Sequence, residues 1–328
     1  VTHAPSAATT LPGLEVPLSR AVLGTMSFGD TTDAARAEEV FEAAVGAGVS
    51  GVDTANGYAG GETERIIAPL VRRHRDRIVL ATKAGIPHPD AGGRPPLSAE
   101  ALRRSLEGSL RRLGVDHVDL FYLHQPDRAT PLAETVDALA GLHAAGRFTA
   151  LGVSNHAAWQ AADVAAAAGR AGIPVPVVGQ NVYNLLARRI EDEWLEYATT
   201  HRVHTMVYNP LAGGLLGSRP DPDAPPSRFR TSRLAQMYSR RYWSPELLAA
   251  AGAVADVADE AGMPLAELSL RWVVSRPGVG SVLLGANRTA HVLAGVEALA
   301  RGPLPADLVE RLDRLTEPLR GAMPAYNR

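Results

Sequence analysis

The chain contains no cysteine. Disulfides, thiolate nucleophiles and cysteine-ligated zinc or iron–sulfur centres are therefore excluded. Charge of one sign is lacking too: a net charge of −2 over 328 residues leaves no electrostatic footprint for nucleic acid or an anionic membrane. No apolar run approaches the ~18 residues of a membrane span. Val1 to Gly13 have no basic start followed by an apolar stretch, so a cytoplasmic location is expected. The strand ends gather no His and carboxylate cluster, so no metal is expected. What remains is 46% apolar and 21% charged, an ordinary globular composition, and long enough for two average domains or one large α/β barrel.

Short apolar segments alternate with helical periodicity along the chain. Strand candidates are Arg20–Gly24, Gly51–Asp53, Ile78–Thr82, Val118–Leu123, Phe148–Val153, Val177–Gly179, Val203–Val207 and Ser281–Leu284. Between them fall helix candidates: Ala34–Ala47 with Asp33 as cap, Glu62–His74, a run starting after Ser98 and stopped by Gly114, Pro131–Ala145, Ala157–Ala168 closed by Gly169, and Arg188–His201. Thr289–Ala300 and Pro305–Leu315 follow the last strand. Eight βα units without a linker predict an α/β protein of the (β/α)8 TIM-barrel type, spanning residues 18–328 behind a tail or small cap at 1–17. An open doubly wound sheet is the alternative. The absence of G-x-G-x-x-G after the first strand argues against it.

In such barrels the site lies at the C-terminal strand ends. Those ends carry Asp53, Lys83, His124, Ser154 with Asn155, Gln180, Tyr208 and Gly285, and Tyr58 lies five residues beyond Asp53 in the same loop. Singly, each has an ordinary explanation, such as a turn aspartate or a core histidine. Ringing one mouth, they predict a site. A phenol, with a reference pKa near 10, works as acid or base when a cation stabilises its anion. Lys83 can be that cation, with Asp53 keeping the ammonium charged. His124 adds a hydrogen bond to a substrate oxygen. Such a group protonates an oxyanion while a hydride arrives from elsewhere, which implies a nicotinamide or flavin. Ser154, Asn155 and Gln180 suit a carboxamide, and Tyr208 offers a ring for stacking.

These residues resemble the aldo-keto reductase family. Its Asp, Tyr, Lys and His tetrad matches Asp53, Tyr58, Lys83 and His124. The resemblance runs from about Ala21 to the last residue through Leu23-Gly24-Thr25-Met26, Asp53-Thr54-Ala55, Leu151-Gly152-Val153-Ser154-Asn155 and the Gly285-Ala286 turn. It is greatest with the aflatoxin aldehyde reductase group, through Asp119 to His124, Asn209 to Leu216, Arg241-Tyr242-Trp243 and a chain ending in Arg328. The resemblance implies NADPH-dependent reduction of a small carbonyl compound, and a homodimer. It implies nicotinamide contacts from Asn155, Gln180 and Tyr208, pyrophosphate contacts from Leu211 and Gly213, and a 2′-phosphate site beside Asn287, Arg288 and His291. Met26, Asp53, Ser154, Asn209, Pro210 and Gly285 join the cofactor set, and Arg241 with Arg328 would hold a substrate carboxylate.

Two positions depart from the pattern: His291 stands where relatives usually have Gln, and Gly295 where they have Asn. Two other functions remain open at this stage. One is a keto or enoyl reductase of sugar nucleotides. The other is a cofactor-binding regulatory subunit with slow turnover, like the barrel subunits of potassium channels.

Overall fold

The computed structural model describes residues 8–321. Eight parallel strands close into a barrel in chain order: β1 Ala21–Gly24, β2 Gly51–Asp53, β3 Val79–Ala84, β4 Val118–Leu123, β5 Phe148–Ser154, β6 Pro176–Val182, β7 His204–Tyr208 and β8 Val279–Gly285. β8 pairs back onto β1, Val282 beside Ala21, so no edge is left. The fold is the expected (β/α)8 barrel.

Helices α1 Ala34–Gly46, α2 Glu62–His74, α3 Ala99–Leu113, α4 Leu132–Ala144, α5 Ala158–Arg170 and α6 Trp194–Thr200 follow β1 to β6. Asp33 caps α1 by accepting from the Arg36 N–H, and Gly114, at φ 67°, ends α3. The connection from β7 to β8 carries α7 Ser227–Arg230, α8 Ala235–Tyr242, α9 Pro245–Glu260 and α10 Leu265–Val274. After β8 come α11 Thr289–Ala300 and α12 Ala306–Thr316. Among the described residues no helix is long and apolar enough to cross a membrane.

Inside the barrel Val22, Val79, Ala81, Leu120, Tyr122, Ala150, Val178, Met206 and Leu283 fill the core. Leu11, Leu14 and Leu18 close its N-terminal end, Leu18 from a two-residue strand that pairs with Ala8–Thr9. Gly152 makes room for the buried Tyr122: a Cβ there would lie 2.5 Å from its ring.

Several expected boundaries move. β3 and β6 run further than the apolar pattern indicated, because Lys83 pairs with Tyr122 and Gln180 with Met206 across the sheet. Lys83 and Gln180 therefore stand within strands, on rigid backbone. α5 continues through Gly169 and is stopped instead by Gly172, at φ 70°. The expected helix Arg188–His201 is broken into a 3-10 turn at Arg189–Glu191 and the short α6. Tertiary contacts decide this. The Arg188 guanidinium is drawn inward to Glu191, the Asp313 carbonyl and the Thr316 hydroxyl. Trp194 fills a slot over Gly179, where a Cβ would sit 1.9 Å from its ring.

Candidate active site

Asp53 ends β2 and Lys83 lies one step across in β3, both side chains buried and paired. The Lys83 ammonium also donates to the Thr54 carbonyl at 3.0 Å and to the Tyr58 hydroxyl at 3.1 Å. All three of its N–H groups are thus used, and the pairing with Asp53 and Tyr58 outweighs the burial that works against its charge. The second Asp53 oxygen accepts from the Gln180 amide at 2.8 Å. Burial raises the Tyr58 phenol above its ordinary value although Lys83 pulls it down. The sequence offered Lys83 as the stabilising cation; in the folded chain burial opposes it with the larger effect, and Tyr58 rests as a neutral O–H donor.

His124 follows β4, its ring 6.0 Å from that of Tyr58 in an edge-on arrangement. Burial, with Lys83 adding to it, depresses its pKa to about 3, so the imidazole is neutral at any ordinary pH. Its Nδ1 is buried without a partner among the described residues. A neutral imidazole beside a neutral phenol presents two hydrogen-bond donors to one oxygen, the arrangement an emerging alkoxide needs.

The opposite wall comes from β5 to β7. Asn155 sits in the left-handed region at φ 59°. Its amide donates to the His124 carbonyl at 2.9 Å and to Ser154 Oγ at 3.1 Å, and its oxygen accepts from the Tyr208 hydroxyl at 2.6 Å. Ser154 donates to the Gln180 carbonyl at 2.9 Å. Of the expected carboxamide holders, Ser154 is thus committed to fixing its neighbours, while the Asn155 oxygen keeps a further lone pair. Half-buried Tyr208 is anchored at its hydroxyl.

Beyond β7 the chain turns through Asn209 at φ 55°, Ala212 at 49° and Gly213 at 72°. Gly213 is required by crowding as well, since a Cβ would lie 2.7 Å from the Tyr238 ring. Among the described residues the Asn209 amide nitrogen is buried without a partner, an orphaned donor that a bound phosphate or amide would satisfy. Pro210 is buried beside it, with Leu211 half-buried; Met26 is half-buried after β1. On the far side Gly285 is exposed with open space at its Cβ position. Arg288 precedes the first turn of α11, where free N–H groups favour an anion. His291, exposed, contacts the Asn287 side chain at 3.2 Å. Gly295 has a steric reason: Leu284 fills the space, 2.9 Å from where a Cβ would stand. These donors and openings fit an elongated ligand with an anionic part.

Arg241, exposed on α8, lowers the Tyr208 phenol against the burial that raises it, and so stands on that side of the mouth. Arg328 lies outside the described residues. Among those described, no three His, Asp or Glu residues cluster to hold a metal. Sequence reasoning missed Asn184, whose amide ties the Asn209 carbonyl at 2.8 Å to the Tyr242 hydroxyl at 3.1 Å and so fixes the β7 loop to α8. No sequence signal marks it, because its partners lie 25 and 58 residues away.

Barrel and mouth together define a class: a (β/α)8 protein equipped for acid–base chemistry at a substrate oxygen. The chain belongs to the aldo/keto reductase family, whose profile matches residues 20–317, and it is accordingly an oxidoreductase. It is 32% identical to aflatoxin B1 aldehyde reductase member 2 of Mus musculus, over 94% of this chain and 87% of that one. It is 33% identical to aldo-keto reductase family 7 member A3 of Homo sapiens, over 95% and 99% of the two chains. A probable voltage-gated potassium channel subunit beta of Arabidopsis thaliana is 32% identical over 89% of this chain and 90% of its own.

Proposed function

We propose that the chain reduces aldehydes or ketones to alcohols with NADPH, and that Tyr58 supplies the proton. The observation that carries this reading is the Tyr58 hydroxyl 3.1 Å from a fully buried, triply bonded Lys83 ammonium. When bound, the nicotinamide would supply a hydride to the carbonyl carbon. His124 and Tyr58 orient the carbonyl oxygen by donating hydrogen bonds to it. As negative charge develops there, Tyr58 releases its O–H proton to that oxygen, and Lys83 stabilises the phenolate left behind. Asp53 keeps Lys83 charged, and Gln180 keeps Asp53 aligned.

Asn155, Gln180 and Tyr208 would hold the nicotinamide, and Leu211, Gly213 and Asn209 the pyrophosphate. Arg288 at the α11 N-terminus would take the 2′-phosphate, with Asn287 and His291 beside it. Arg241 supports an acidic substrate, and Arg328 would be its companion. Relatives named for aflatoxin aldehyde reduction favour an aldehyde. The relatives named as potassium channel subunits support a second reading, a cofactor-binding regulatory barrel. NADPH consumption should be followed with 4-nitrobenzaldehyde, succinic semialdehyde, butanal and a nucleotide-linked ketosugar. Turnover of the aldehydes, the acidic one preferred over butanal, is expected. NADPH binding without turnover of any of them would replace the reductase by the regulatory reading, and turnover of the ketosugar alone would move the substrate class.

A further inference from the structure

Tyr58 stands on an unusual piece of backbone. Ala59, Gly60 and Gly61 follow it at φ 47°, 66° and 90°, three successive left-handed residues, the first of which carries a side chain. Such a run is strained for a non-glycine residue, and it persists where the surroundings over-determine it. Helix α2 begins at once after it, so whatever fixes the first turn of α2 fixes the phenol.

Three contacts fix it. The Thr63 hydroxyl donates to the Phe28 carbonyl at 2.7 Å. Glu64, fully buried, accepts from the Thr82 hydroxyl at 2.7 Å. Thr82 is the neighbour of Lys83 in β3, so this bond joins the element that carries the phenol to the strand that carries the ammonium. The other Glu64 oxygen accepts from Arg112 Nε of α3 at 2.7 Å, and Arg112 Nη1 reaches Asp90 at 2.9 Å. The same guanidinium lies against the turn itself: a Cβ on Gly61 would meet Arg112 Cδ and Nε at 2.9 Å. Gly108 opens α3 for the Asp90 carboxylate, where a Cβ would come within 2.4 Å.

We propose that the pair of buried Glu64 and half-buried Arg112 is a positioning device that sets Tyr58 against Lys83 from outside the barrel. Glu64 measures the distance between α2 and β3, and Arg112 presses the left-handed turn into place while Asp90 holds it from behind. The assignment rests on Tyr58 being the proton donor. A buried ion pair adds little stability over apolar residues of similar volume, whereas leaving one partner unpaired is strongly destabilising. The informative variant therefore replaces both partners, Glu64→Leu with Arg112→Met, which keeps the volume and removes the directional bonds to Thr82, Asp90 and the Gly61 turn.

The test uses the full chain and three measurements. The double variant should melt within a few degrees of wild type and keep its NADPH Kd within a few-fold. Its kcat for aldehyde reduction should fall about 10–100-fold, since a misplacement of ~1 Å can cost that much. In cofactor-free protein with 13C-labelled tyrosine ring carbons, Lys83→Met should displace the Tyr58 titration upward in the wild-type background and displace it less in the double variant. That last reading reports the Tyr58–Lys83 contact directly, and a merely structural role would leave it unchanged. Arg112→Lys, which keeps the charge but loses the planar fork, should fall between the two. Unchanged kcat with unchanged Lys83 coupling sinks the inference. So does a loss of activity that only parallels a loss of melting temperature. If Tyr58→Phe retains turnover, the donor reading fails whatever the double variant does; if Tyr58→Phe is inactive and the double variant is not, this inference alone fails.

Discussion

The two ends of the barrel are built on opposite principles. At the N-terminal end Leu11, Leu14 and Leu18 plug the strands with aliphatic side chains, and Gly51 lets Leu18 come within 2.8 Å of where its Cβ would stand. The C-terminal end holds a buried carboxylate, a buried ammonium, a neutral imidazole and orphaned amide groups. Backbone strain separates the ends too. Of the five non-glycine residues with positive φ among those described, Ala59, Asn155, Asn209 and Ala212 follow β2, β5 and β7 at the mouth, and only Arg202 lies at the other end. Strain and unpaired polar groups collect at the proposed site, and the plugged end supplies the stability that tolerates them.

Each end also keeps a histidine neutral. His204, near the floor, is pushed down to about 4 by burial alone, and its Nε2 meets Ser281 at 2.9 Å. His124 at the mouth lies lower still, because the Lys83 charge adds to burial. The same physical effect thus serves packing at one end and, in the proposed function, a substrate oxygen at the other.

The sharpest way to break this contrast is Tyr58→Phe, which should lose about 10²–10⁴ in kcat and leave the melting temperature nearly unchanged. Retained turnover would remove the mouth from the chemistry. The mirror experiment is Leu18→Ala, expected to cost about 2–5 kcal/mol in denaturant unfolding with kcat preserved at low temperature. A floor variant that loses activity without losing stability would show the ends to be coupled.

Acid should expose the histidines. An unfolded histidine binds its proton near 6.5, whereas folded His204 does so near 4 and His124 near 3. The unfolded chain therefore binds more protons below pH 6.5, and stability falls as pH drops from there through those values. Each group contributes a slope of about 1.4 kcal/mol per pH unit. His204→Gln should flatten the slope between pH 6.5 and 4 without touching kcat; an unchanged slope would mean that His204 titrates normally. The smallest expected effect is at the rim. Arg288→Ala should raise the NADPH Kd about tenfold, the scale of one charge-assisted contact, and leave NADH nearly alone. Equal effects on both cofactors would move Arg288 away from the phosphate.

Much of this was legible along the chain because a barrel writes its function at regular intervals. Asp53, Lys83, His124, Asn155, Gln180 and Tyr208 fall at or beside the end of a strand, so alternation alone brought them to one mouth. Where reading failed, the cause was non-local. Arg188 and Trp194 lie in a helical pattern, yet partners on α12 and a vacancy at Gly179 break the helix. Gly169 reads as a stop, but the left-handed turn falls at Gly172.

By itself the sequence determined the element order, the closed parallel topology and which polar residues stand at the strand ends. All three follow from periodicity and from the rule that strand ends share one face. Only the tertiary structure decided the state of those residues. Lys83 and Asp53 pair because β2 and β3 are neighbours, Asp53 facing Ala81 with Lys83 two residues further on, and desolvation outweighs Lys83 in raising the Tyr58 phenol. Glu64 and Arg112, 48 residues apart, meet behind the turn that carries that phenol. Burial and distance are properties of the packed molecule, and no local pattern encodes them.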